Sequence, residues 1–279
     1  MHAIPNNQAP PQSQDLDAPM DADAERRFGG LRRLYGDADY RRLRAAHFAV
    51  VGLGGVGSWS VEALARSGVA ALTLIDFDQV AESNINRQVQ ALGSTLGMAK
   101  AEALRRRIHD IHPECKVRII EEFVDEKNWP ALLDGADLEL DGLIDACDQV
   151  RAKAHLASWA LQQGLPFVVV GAAGGKREPH LLSIEDLADT THDPLLSSLR
   201  QRLRQHHAAP RKGRMGLACV FSREAVLRPV EQEGAACAVD GSLNCHGYGS
   251  SVTVTASFGM AAAAELIKIL LKNQHKSIA

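Results

Sequence analysis

The sequence predicts an α/β fold: a Rossmann-like, mostly parallel sheet covered by helices on both faces, with a less regular C-terminal portion. Three observations predict it. Short apolar runs alternate with stretches of helical periodicity between residues 48 and 171. A glycine cluster, GLGGVG (52–57), sits where the first run gives way to the first helix. Later runs such as PFVVVG (166–171) are apolar throughout, as strands buried on both faces are.

Taken in order, residues 1–24 hold Pro5, Pro10, Pro11 and Pro19 among Asn, Gln, Ser and Asp, with little to bury, and read as a disordered tail. FAVVG (48–52) is the first strand, 55–67 a helix that Gly68 closes, and ALTLID (71–76) the second strand, which completes a β-α-β unit. A helix is expected over 94–110, stopped by His112-Pro113, and then the strand KVRII (116–120). DGLIDA (141–146) reads as a strand, 150–163 as a helix and 166–171 as a strand. Beyond 175 the rhythm loosens, and a final strand and helix are expected over 250–272. Residues 25–279 are thus expected to form a single domain, with the alternating strands and helices of its core at about 45–175.

The 46% hydrophobic content in 279 residues supports a buried core. Five cysteines without a CxxC pair fit neither a disulfide scaffold nor a paired-cysteine zinc site, so no structural zinc is expected and a cytoplasmic location is. Residues 252–271 approach the length of a membrane span. Glu265 and Lys268 inside the run, and the weak transfer energy of Ala and Thr, favour a buried element instead.

The glycine cluster suits a phosphate at a helix N-terminus, where unpaired N–H groups and the helix dipole favour anions. Asp76, 19 residues past Gly57, is placed to accept hydrogen bonds from ribose hydroxyls. These two features suit any adenine nucleotide, a dehydrogenase cofactor included. The stretch DFDQVAESNINRQ (76–88) narrows the reading. Arg87 and, 13 residues later, Lys100 are cations suited to a triphosphate, where cleavage between α- and β-phosphates loads charge onto both halves. DACDQVRAK (145–153) places Asp145 and Asp148 at the carboxyl end of a later strand. A carboxylate there suits the Mg²⁺ that accompanies ATP, or, for Asp148, a helix cap.

Together the glycine loop, DxD, NxxRQ, the following lysine and DAxD resemble the adenylating superfamily of ubiquitin-activating enzymes and sulfur-carrier adenylyltransferases over residues 25 to about 170. Within it, RFGGLRRLYG (27–36), GGVGSWSVEALARSG (54–68), GAAGGKREP (171–179), DPL (193–195), KGRMGLACVFS (212–222) and GYGSSVTVTASFGM (247–260) are similar to the tRNA threonylcarbamoyladenosine dehydratase family. The resemblance implies that Gly52, Gly54, Gly55 and Gly57 line the phosphate loop and Asp76 holds the ribose. Asn84, Arg87 and Gln88 contact the phosphates beside Lys100, and Asp148 sits at the magnesium. Arg27 or Arg33 is the counterpart of an N-terminal phosphate-binding arginine.

The implied activity is an ATP-dependent cyclisation of threonylcarbamoyladenosine beside the tRNA anticodon, by carboxylate adenylation and intramolecular attack. The alternative is adenylation of a ubiquitin-like sulfur carrier's C-terminus. Arg87, Lys100 and Asp148 are the implied catalytic residues, with Cys245, beside His246, the candidate for a covalent thiol. Cys115, Cys147 and Cys219 read as small buried hydrophobes, and Cys237 is left open. Implied partners are tRNA, a second copy of the chain, and cysteine desulfurase or sulfur-acceptor proteins.

A tRNA partner requires neutralised phosphates. The net charge of -3 argues against one only as an average. Residues 121–148 alone carry ten acids and one lysine, or -9, which leaves the rest at +6. The segment 200–214, with Arg200, Arg202, Arg204, Arg211, Lys212 and Arg214 and no acid, is the expected tRNA contact; Arg26, Arg27, Arg32, Arg33, Arg41, Arg42 and Arg44 add a second basic edge.

Overall fold

A computed structural model describes residues 22–135, 139–227 and 248–272. Seven strands form one sheet: β1 (His47–Val51), β2 (Ala71–Ile75), β3 (Lys116–Ile120), β4 (Gly142–Asp145), β5 (Phe167–Val170), β6 (Leu182–Asp186) and β7 (Ala218–Ser222), in the order β3-β2-β1-β4-β5-β7-β6. All neighbours run parallel except β6, which pairs antiparallel with β7 at the edge. Every residue of β1, β2, β4 and β5 is buried, as their apolar runs require.

The helices are α1 (Ala22–Tyr35), α2 (Asp37–Ala45), α3 (Gly57–Arg66), α4 (Lys100–Ile111), α5 (Val150–Gln163), α6 (Pro194–His206) and α7 (Val252–Lys272). One face of the sheet carries a core in which Leu64, Leu104, Phe258 and Leu266 of α3, α4 and α7 pack on β1 and β2. On the other face Leu156, Ala160, Leu199 and Leu203 of α5 and α6 pack on β4, β5 and β7. Strand order reverses between β1 and β4, so their carboxyl ends open a crevice, the place where open α/β sheets bind ligands.

Four sequence expectations are corrected. The domain begins inside the expected tail, because Ala24 is buried against Phe28 and Tyr40. The helix expected from 94 starts at Lys100: Gly97 adopts φ +78, and Thr95 Oγ1 donates to Gln90 O and accepts from Leu92 N, closing a short turn first. Asp148 caps no helix; Gln149 occupies the N-cap without a side-chain hydrogen bond.

The final strand and helix are one helix, α7. Its β-branched start, VTVT, costs only tenths of a kcal/mol per residue in helix propensity. Tertiary contacts outweigh that: Ser251 Oγ accepts from Thr253 N, Val254 and Phe258 are wholly buried, and Gly259 lies so close to α3 that a Cβ there would be 2.5 Å from Val56 O. α7 is long and apolar enough to cross a membrane, but 61% of its apolar window is buried within the fold.

Candidate active site

The loop after β1 turns at Gly52 (φ +84) and feeds straight into α3. Gly57, the first residue of α3, is required by contact: a Cβ there would stand 1.8 Å from Gly52 O. Asp76, at the end of β2, ties this loop down. Its Oδ2 accepts from Leu53 N at 2.6 Å and its Oδ1 from Asp78 N at 2.8 Å, which leaves lone pairs on both oxygens for hydroxyl donors. Burial pushes the Asp76 carboxyl up, while Lys100 and the two N–H donors oppose that shift.

Lys100 opens α4 and is almost fully buried. Its Nζ lies 2.6 Å from Asp78 Oδ2 and 4.0 Å from Asp76 Oδ1, so the ammonium is held at the crevice by carboxylates. Arg87 arrives by a different route. Asn84 Oδ1 accepts from Ala81 N, and Asn84 O accepts from both Arg87 N and Gln88 N, making a compact turn. The carbonyl of Arg87 accepts from Trp59 Nε1 of α3 and Thr255 Oγ1 of α7, and its Nη1 donates to Ser83 O and Asn86 Oδ1. Partial burial lowers the Arg87 pKa, yet a guanidinium stays charged at any working pH.

These groups line one cavity of about 500 Å³, which also contains Gly52, Gly54, Gly55, Asn84, Gln88 and Asp148. Of the expected nucleotide-binding residues only Gly57 lies outside it, in the tight turn behind the loop. Asp145, expected at the ligand edge beside Asp148, faces inward: it is fully buried and paired with Lys153 Nζ at 3.0 Å, and it accepts from both N and Sγ of Cys147. Sequence reading missed Lys153 because it sits on α5 within a helical pattern that gives no sign of depth.

A carboxylate lining a phosphate cavity fits Mg²⁺, which binds through one or two carboxylates, phosphate oxygens and water. Asp148 lines the cavity together with the carboxylates of Asp76, Asp78 and Glu122, and among the described residues no group of three or more His, Cys, Asp or Glu could form a metal cage of its own. Cys245, Cys237 and His246 lie outside the described residues. Burial pushes the Cys115 thiol up to about 12 and raises those of Cys147 and Cys219 further from ionisation, so none of the three is a ready nucleophile.

The far wall was not anticipated. Phe123, Gln149, Ala172, Gly174, Pro194, Tyr248 and Ser250 all face the cavity, and Phe77 packs on Phe123 with ring centroids 5.1 Å apart. An aromatic directly after an acid at the end of β2 or β3 is the signal that could have found Phe77 and Phe123.

The basic elements lie elsewhere. α6 starts at the cavity with Pro194 and runs 13 residues, or about 20 Å; Arg211, Lys212 and Arg214 follow its C-terminus and are exposed, with Arg214 Nε 3.7 Å from Asp186 Oδ2 at the end of β6. Arg202 pairs with Glu126, Arg204 donates to Pro210 O, and Arg200 is partly buried, its Nη1 donating to Leu187 O, Thr190 O and Thr190 Oγ1. Arg27 is bound to Asp23 and Ile111 O, and within one chain neither Arg27 nor the exposed Arg33 lines the cavity.

The ThiF family profile matches residues 29–279. The chain is 41% identical to the Escherichia coli tRNA threonylcarbamoyladenosine dehydratase over 254 residues, covering 88% of this chain and 93% of that protein. It is 40% identical to the Haemophilus influenzae protein of the same name over 253 residues, covering 90% and 95%. The fold superposes on the crystal structure of the E. coli dehydratase in complex with ATP with a TM-score of 0.82 at 38% identity, over 93% of this chain and 99% of that one. Matched by the family profile over almost its whole length and by these relatives over most of theirs, the chain belongs to the ThiF family.

Proposed function

We propose that the protein catalyses the ATP-dependent dehydration of threonylcarbamoyladenosine in tRNA to a cyclic product. The observation that carries this reading is the convergence of Arg87 and Lys100 on the cavity that holds the glycine loop and Asp148. The threonine carboxylate attacks the α-phosphorus of ATP and pyrophosphate departs, leaving an acyl-adenylate. A carbamoyl nitrogen of the same nucleoside then attacks the acyl carbon, loses its proton and expels AMP. The carboxylate oxygen leaves with AMP, so the nucleoside loses one water.

Arg87 and Lys100 neutralise charge that grows on the α-phosphate and the departing pyrophosphate, which is where positioned cations lower a barrier most. The acyl group and its nucleophile belong to one molecule, so proximity is supplied by the substrate, and no thiol is required for the second step. Asp148 would hold Mg²⁺, which screens the phosphates when bound. The same reading takes the protein as a cytoplasmic homodimer acting on tRNA, with sulfur-relay proteins as further partners.

The test is mass analysis of tRNA nucleosides after incubation with ATP and purified protein. Loss of one water from threonylcarbamoyladenosine is expected, and Arg87→Ala and Lys100→Met should each slow it about 100-fold or more. Pyrophosphate exchange that depends on an added carrier protein and ignores tRNA would overturn the reading in favour of carrier adenylation.

A further inference from the structure

Pro194 and Val226 are each part of two walls. On one side they face the nucleotide cavity; on the other they bound a second, more open cavity of about 390 Å³ with Thr190, Thr191, His192, Ser197 and Arg200. It lies where the chain leaves β6 and starts α6.

The chemistry of this second wall is one-sided. Arg200 is held in orientation by three bonds from Nη1, to Leu187 O, Thr190 O and Thr190 Oγ1, while its other N–H donors are not engaged in them. Thr191, His192 and Ser197 are exposed at the rim. The one acid in the lining is Asp193, and it faces away: Oδ1 accepts from Leu196 N and Oδ2 from Ala172 N, and the residue is buried. His192 is held at φ 58, a left-handed conformation that histidine adopts more readily than most non-glycine residues, with Lys176 Nζ donating to its carbonyl. A cation, hydroxyl groups and a carboxylate turned inward make a surface for an anion of low charge.

We propose that this cavity holds a backbone phosphodiester of the RNA strand next to the modified adenosine, with Arg200 as its counter-charge. The proposal rests on the tRNA reading above: a nucleotide entering the first cavity as part of a strand carries a phosphodiester on each side, and the second cavity begins one residue-thickness away, across Pro194 and Val226. Backbone contacts of this kind set register and orientation, and base contacts are left to the first cavity. Arg200 thereby serves tRNA from the middle of α6, beside this cavity, whereas Arg211, Lys212 and Arg214 follow the C-terminus of that helix.

Ser197→Glu tests it without disturbing Arg200, since the Ser197 side chain is exposed in the first turn of α6, where a carboxylate suits the helix dipole. Gln201→Glu, on the same helix but outside the cavity, is the control for added charge. In steady-state AMP release with threonylcarbamoyladenosine-containing tRNA, Ser197→Glu should raise the tRNA KM about ten-fold or more, less so at high salt, with the ATP KM unchanged. Gln201→Glu should stay within about two-fold.

An unchanged tRNA KM in Ser197→Glu beside an active wild type overturns this site and leaves the reaction standing. A shift in the KM for ATP or in inhibition by pyrophosphate, with the tRNA KM unmoved, would assign the cavity to free phosphates and also overturn it. A wild type that does not dehydrate the tRNA nucleoside overturns both the reaction and the site.

Discussion

Lys153 and Asp145 form an ion pair 3.0 Å long in which both side chains are fully buried, directly beneath the loop that carries Cys147 and Asp148. Burial opposes the charge on Lys153, and the Asp145 carboxylate more than offsets it, so the lysine pKa is raised. Removing one partner strands the other charge. Lys153→Met should therefore destabilise the protein by about 3–5 kcal/mol, and Lys153→Met with Asp145→Leu by clearly less, measured by urea unfolding.

Gly57→Ala should abolish ATP binding measured by calorimetry. The added Cβ meets the Gly52 carbonyl, a backbone atom that cannot rotate away, so the whole phosphate loop must shift. Gly54→Ala, where a Cβ meets no neighbour, should bind ATP far better than Gly57→Ala.

How legible these features were from sequence depended on whether a residue's neighbours along the chain reveal its role. Gly52, Asp76, Arg87 and Lys100 were legible because a phosphate loop and a strand end impose fixed local spacing. The segment 182–222 was not read as β6, α6 and β7, because LSIED on an edge strand is half-polar and α6 is rich in arginine, leaving only a thin apolar stripe at Leu195, Leu196, Leu199 and Leu203. The opening of α7 was misread because VTVT has strand chemistry locally and helix contacts globally. Depth was the hardest quantity: nothing near Lys153 or Arg200 in sequence says that one is wholly interior and the other half so.

His112 supplies a pH dependence. Its ring is buried edge-on to Phe28, 2.9 Å from Arg44 Nη1, and burial together with Arg44 and Arg27 lowers its pKa to about 4. A depressed folded-state pKa favours the neutral ring, so its contribution to stability is complete above pH 6.5 and is lost as pH falls toward 4. Over that window the loss should reach about 2–3 kcal/mol. Unfolding midpoints at pH 7 and pH 4.5 should converge in His112→Asn relative to wild type.

Lys176 tests the far wall of the cavity. Its buried Nζ donates to three carbonyls from separate segments, His192 O, Ser222 O and Glu224 O, and the Glu224 carboxylate accepts from Arg177 N and Glu178 N. The loop that lines the cavity at Gly171–Gly174 is thus pinned just beyond its end. Lys176→Met should lower stability by about 2–3 kcal/mol and reduce tRNA-dependent AMP release, while ATP affinity, set by the opposite wall, stays near the wild-type value.

The Arg87 carbonyl is gripped by Trp59, 28 residues upstream, and by Thr255, 168 residues downstream. During synthesis on the ribosome, the sheet strands, Arg87 and Lys100 emerge well before Thr255 does. A nascent chain accordingly holds the Arg87 carbonyl through Trp59 alone until α7 packs on α3 and adds Thr255. The Arg87 turn and Thr255, a cavity-lining residue of α7, are thus positioned by a contact that spans most of the fold, so the geometry of the site depends on the packing of α7 as well as on the loops that face the cavity.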